Sequence, residues 1–240
     1  MRAHHRNSLG WLGGLALLVG LATGCSSTPR IIPGMVWVEP GTFTMGYDEG
    51  APNEKPARQV VVSRGYYIDI YEVTNQQYYN FCQQAKHPAP PHWKDGKFPE
   101  GQELYPVVNV SLEDARAYAR FYGKRLPTEI EWEYAARGPD GRLYPWGNTW
   151  DPEAAHTFES GKQGPVAVNT MPKGRGPFGT YHQAGNVWEW TETEAQPGLF
   201  VIKGGSFAPL EDRPRASLRG LAKATVKRDN LGFRCVKDPE

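Results

Sequence analysis

The sequence predicts an α+β domain, rich in loops, with short strands and about three helices. Three observations carry this. Glycine and proline number 27 and 21 of 240 residues, a fifth of the chain, against roughly 12% in ordinary proteins. Three Ser/Thr-capped helical periods fall together in the middle of the chain, and the strand-like runs flank them rather than alternating with them. Eight tryptophans and twelve tyrosines supply apolar area that a disordered chain does not carry, and no solenoid period repeats.

Taken in order, Arg2, His4, His5 and Arg6 precede an apolar run from Leu9 to Leu21 that is short for a bilayer span and reads as a secretory signal over residues 1–24. The run ends Leu21-Ala22-Thr23-Gly24-Cys25, which resembles the lipobox of bacterial lipoproteins. That resemblance implies lipidation of Cys25 and anchoring in a membrane; Ser26 in place of Asp implies the outer membrane, at the periplasmic face of the envelope. A Ser/Thr/Pro tether occupies residues 25–34, and residues 35–240 form one domain. Lys+Arg of 27 against Asp+Glu of 26 gives no field for a polyanion, so nucleic acid is not an expected partner.

Met35-Val36-Trp37-Val38 and Thr42-Phe43-Thr44-Met45 flank Glu39-Pro40-Gly41, a pattern that predicts a hairpin. Gln59 to Ser63 and Tyr66 to Tyr71 predict further strands. Thr74 with Gln77 opens a helix whose apolar face is Tyr78, Phe81, Cys82 and Ala85. Ser111 with Asp114 opens a second, running through Ala115, Tyr118, Ala119 and Tyr122 to a stop at Gly123, and Thr128 with Glu131 a third, ending near Gly138. From Pro139 to Gln183 there is no periodicity, and loops of that length in a small domain are functional or tied down. Leu199 to Ile202 and Leu231 to Val236 predict closing strands.

Several segments, in order, resemble the formylglycine-generating enzyme, or sulfatase-modifying factor, family. They are residues 35–46 (MVWVEPGTFTMG), 71–75 (YEVTN), 123–138 (GKRLPTEIEWEYAARG), 144–148 (YPWGN), 185–190 (GNVWEW), 203–206 (KGGS) and 230–234 (NLGFR). The resemblance implies a variant of the C-type-lectin-like fold. It also implies a pair of copper-binding cysteines shortly after Gly-Gly-Ser, but by register Pro209 and Pro214 stand there. Copper(I) requires soft sulfur ligands, so formylglycine generation by the two-cysteine mechanism is not expected and no cofactor is required.

The family's calcium site maps onto His182, Gly185, Val187 and Glu189, with an imidazole where a hard ion wants oxygen; calcium there is a candidate only in degenerate form. His156, His182 and Glu189 are the alternative candidates for a transition metal. Lys203, Arg213, Arg215 and Arg219 fall where the family places its substrate groove, either to grip a carboxylate or acidic peptide or to brace loops. Trp188 and Trp190 read as core, and Glu131 and Glu133 as partners of Arg125 and Arg137. In the resembled enzymes the Cys after Gly-Phe-Arg pairs with one on the second helix; here that position is Ala119, leaving Cys82 as the candidate disulfide partner of Cys235, with two buried reduced thiols as the alternative. The resulting expectation is a lipid-anchored envelope protein acting as a non-catalytic binding or regulatory partner of a protein or peptide, for example in a secretion system. The alternative is a periplasmic metal-dependent oxidase of the formylglycine-generating or pyoverdine-maturation type, acting without the cysteine pair.

Overall fold

Three capping boxes set where the helices begin. In the computed structural model, which describes Met1, residues 30–210 and residues 213–240, α1 (Asn75–Ala85), α2 (Leu112–Phe121) and α3 (Glu129–Arg137) follow Thr74, Ser111 and Thr128. Each hydroxyl accepts the N–H three residues on, and the side chain of that third residue returns to the cap's own N–H. Two otherwise orphaned first-turn donors are satisfied at each start. Cys25, residues 2–24 of the expected signal and the first residues of the tether lie outside the described residues. Among the described residues no helix is long and apolar enough to cross a membrane.

Among the described residues nine short strands accompany the helices: β1 (Met35–Val38), β2 (Gly41–Met45), β3 (Arg58–Val62), β4 (Tyr66–Asp69), β5 (Trp188–Gln196), β6 (Leu199–Lys203), β7 (Arg219–Lys223), β8 (Leu231–Gly232) and β9 (Val236–Lys237). They form a four-stranded sheet in the order β7-β6-β5-β8, a three-stranded sheet β1-β4-β9 and the pair β2-β3. The hairpin expected across Glu39-Pro40-Gly41 does not form. Instead β1 runs antiparallel to β4, with Met35 opposite Asp69, and β2 to β3, with Gly41 opposite Val62. A tight two-residue hairpin needs positive φ at its centre, which none of Glu39, Pro40 and Gly41 adopts, so the chain passes from one sheet to the other. Two strands escaped sequence reading, β5 and β7. The first reads Trp-Glu-Trp-Thr-Glu-Thr-Glu, buried on both faces at its start, so its acidic alternation does not mark a core strand.

The largest apolar cluster joins α1 and α2 to the four-stranded sheet. Tyr78 stacks on Tyr118 with ring centroids 5.8 Å apart, and Phe233 packs edge-on to Tyr118 at 5.3 Å. A second cluster lies between β2, β4 and the Tyr134-Ala135 face of α3. Trp190 is fully buried and Trp188 nearly so, in the core as expected. Cys82 and Cys235 belong to the first cluster, but both are free thiols and the expected bridge is not formed. The Cys82 Sγ lies 3.7 Å from the Pro88 carbonyl and neighbours Asp114 in the first turn of α2. Cys235 sits instead among Asp69, Lys124 and Tyr118, toward the other end of that helix. Burial pushes the Cys82 thiol up to about 11 and raises Cys235 well above the ordinary thiol value, which disfavours the reactive thiolate of each at neutral pH.

Candidate functional site

The aperiodic stretch after α3 builds one wall of a groove. At Tyr144-Pro145-Trp146-Gly147 the backbone closes on itself, the Tyr144 and Gly147 N–H groups donating to each other's carbonyls at 2.9 and 3.0 Å. This turn lays Tyr144 flat on Trp146, centroids 5.2 Å apart and planes 8° apart, with Trp150 tilted against both. The opposite wall is formed by residues 208–210 and 213–215, between β6 and β7, and Ala216 N–H donates to the Leu143 carbonyl at 2.9 Å to tie the two walls together. Between them lies a cavity of about 630 Å³, bordered by Tyr144, Trp150, Phe158, Pro209, Arg213 and Pro214, within the usual size range of ligand sites.

Both prolines expected at the cysteine positions therefore line the groove, and neither side chain carries a donor atom. The residues present do not fit copper, which needs thiolate there. The structure also sorts the four basic candidates. Lys203 does not reach the groove: it is entirely buried, its ammonium 2.9 Å from Glu133 Oε2 and 3.0 Å from the Ser217 carbonyl. Arg219 pairs with Glu129 at 2.8 Å. Arg215 lines the groove but donates to both oxygens of buried Glu54, at 3.2 and 2.7 Å, and Ser217 Oγ donates to the same carboxylate at 2.6 Å. Burial alone would raise Glu54 and Glu133; the cations outweigh it and hold both below the usual carboxylate value. Arg213 alone of the four is exposed, its guanidinium 5.1 Å above the Trp150 ring. Arg215 and Arg219 thus brace loops, and the pairs Arg125–Glu131 and Arg137–Glu133 form as expected, at 2.6 and 2.9 Å.

Glu189, one of the expected calcium ligands, is taken by a buried cation of the chain itself. Arg234, wholly buried, donates to Glu189 Oε2 and Oε1 at 2.7 and 2.6 Å and to the carbonyls of Asp69, Ile70 and Tyr181. Trp132 Nε1 adds a third donor to Glu189 at 2.6 Å. Burial opposes the charge on Arg234, and Glu189 more than restores it, leaving the guanidinium above the ordinary Arg value. With Glu189 so committed, the set His182, Gly185, Val187, Glu189 does not fit calcium. The His182 ring is pushed down to about 3 by burial and by Arg234, so it is neutral at any physiological pH. Gly185 serves the turn: at φ 86° a side chain there would meet the His156 carbonyl at 2.3 Å. His156 is held by Ser160 Oγ and the Gly164 carbonyl, both at 2.8 Å; it orders the loop, and among the described residues no three His, Cys, Asp or Glu side chains converge on one point.

Sequence reasoning missed Trp150, Phe158 and Glu54. The first two sit in a stretch without periodicity, and Glu54 meets Arg215 from 161 residues away; only the density of aromatics between residues 144 and 158 hinted at a wall.

A loop-dominated α+β fold with an aromatic groove beside the Gly-Gly-Ser turn is the architecture of the formylglycine-generating group of proteins. The family model for the sulfatase-modifying factor enzyme 1-like domain matches residues 22–239, and the chain belongs to that family. Relatives include the inactive C-alpha-formylglycine-generating enzyme 2 of Mus musculus, 34% identical over 266 residues covering 85% of each chain. The formylglycine-generating enzyme of Thermomonospora curvata is 34% identical, covering 89% of this chain and 96% of its own. Among solved structures, PvdO from Pseudomonas aeruginosa superposes with a TM-score of 0.72 at 23% identity, over 85% of this chain and 94% of its own. Treponema denticola variable protein 1 gives 0.67 at 21%, over 85% and 95%. At those identities the structures share the fold.

Proposed function

We propose that the chain is a lipid-anchored envelope protein, held by Cys25 at the periplasmic face of the outer membrane, whose domain binds a protein or peptide without transforming it. The observation that carries this reading is the groove itself: its aromatic wall and its volume are in place, while Pro209 and Pro214 line it where the family resemblance puts thiols. A fold that keeps its cleft and loses its nucleophile is suited to recognition, and a secretion-system or similar regulatory partner suits a protein tethered in the envelope. The 34% identity to a mammalian relative named as inactive supports the reading. The oxidase alternative requires a cluster of metal ligands, and the groove's described residues supply one carboxylate, Glu159, and no imidazole or thiol.

The test places a photo-crosslinking amino acid at Phe158 in cells. A covalent adduct with an envelope protein or peptide, lost when Trp150→Ala is added, is expected. Stoichiometric copper or iron in the purified chain, with oxygen uptake on adding a cysteine peptide, would contradict the proposal.

A further inference from the structure

We infer that the groove selects a peptide segment in which a carboxylate neighbours an apolar or aromatic side chain, with Arg213 reading the carboxylate. The inference rests on the groove being the binding surface, as proposed above, and adds what it binds. Four basic residues lie on or near the segment that forms the second wall, and three have a dedicated carboxylate: Lys203 has Glu133, Arg215 has Glu54 and Arg219 has Glu129. Among the described residues no carboxylate pairs with Arg213. Its guanidinium lies over the Trp150 ring, 5.1 Å from the centroid, and that ring is the contact that holds it.

A guanidinium stacked on an aromatic ring is pre-oriented for two parallel hydrogen bonds to a planar carboxylate, and it loses little rotamer freedom on binding one. Beside it, Tyr144, Trp150 and Leu210 offer apolar surface, and Phe158 stands 64% exposed at the rim, within reach of a bound side chain. One cation next to an aromatic shelf complements an acidic residue followed or preceded by an apolar one.

The experiment incubates the full chain, in detergent, with two amidated peptide pools by equilibrium dialysis, read by mass spectrometry. Both pools vary two positions over apolar and aromatic residues; the third is Asp or Glu in one pool and Asn or Gln in the other. Acid peptides should be retained about tenfold more than their amide counterparts, the gain of one charge-assisted pair. Arg213→Gln should erase that preference, bringing the two pools to equal retention, Arg213→Lys should keep part of it, and Trp150→Ala should reduce both pools. Absence of acid preference, or a preference that survives Arg213→Gln, overturns the inference. If both pools are retained equally and Trp150→Ala lowers both, the groove still binds and only the carboxylate assignment falls. If neither pool is retained, both readings fall. Acetate or inorganic phosphate at matched concentration should displace nothing; displacement would mean that a free anion is the ligand and would overturn the peptide assignment.

Discussion

Arg234→Met removes the cation at the centre of the buried cluster and leaves Glu189 with Trp132 as its one remaining donor. Both partners of the pair are fully buried, so the variant strands an uncompensated carboxylate where water does not reach, at a cost of about 3–5 kcal/mol. Three carbonyls lose a donor as well; that of Ile70 keeps the Tyr181 N–H at 2.9 Å, so this contribution is the smaller one. Against a domain stability of roughly 5–15 kcal/mol, the variant should lower Tm on the order of 10 °C. Urea unfolding followed by tryptophan fluorescence reads the change. Adding Glu189→Gln should recover at least about 1 kcal/mol, because the stranded charge goes with it. The penalty should also shrink as pH falls. An unpaired buried carboxylate has a folded pKa above its unfolded value, so the variant loses stability as pH rises between the two and regains it on acidification. A loss below about 1 kcal/mol, or a double variant no more stable than the single one, would refute the view that Arg234 and Glu189 form one buried unit.

Three further outcomes follow from the same structure. Glu54 and Glu133 are held below the usual carboxylate value, so the stability they contribute is complete above an unfolded pKa of about 4.3 and is lost as pH falls through their folded values. The acid limb of the urea midpoint against pH should therefore flatten in Glu133→Gln, and an unchanged limb would count against it. Alkylation of the unfolded, unreduced chain should modify both Cys82 and Cys235, with neither modified in the folded protein; peptide mapping that recovers them joined would show that the pair is a disulfide. Cys25→Ser should release the chain from the membrane fraction or leave an unprocessed precursor, and unchanged fractionation and mass would remove the lipid anchor from the proposal.

Local signals were legible and long-range partnerships were not. Thr74, Ser111 and Thr128 each announce a helix start through a residue three positions on, a code contained within one turn, and all three boxes form. Strand pairing has no such local code. Residues 35–45 read as a hairpin because their alternation is right, yet the partners of β1 and β2 lie beyond them in β4 and β3. The groove was legible in part: Pro209 and Pro214 take their places from the order of the surrounding motifs. The sorting of Lys203, Arg215 and Arg219 into internal braces depends on Glu133, Glu54 and Glu129, which the chain delivers from 70, 161 and 90 residues away. A basic run in a sequence cannot show which of its charges are already answered.

The central claim is that the family's cleft persists here without its thiol chemistry. The most direct measurement supplies the purified full chain with copper, oxygen and a sulfatase-type cysteine peptide, and follows both bound metal and aldehyde with a carbonyl-reactive probe. No stoichiometric copper in the groove and no aldehyde are expected, with copper uptake appearing only when Pro209→Cys and Pro214→Cys are introduced together. Stoichiometric copper with aldehyde formation by the unaltered chain would contradict it.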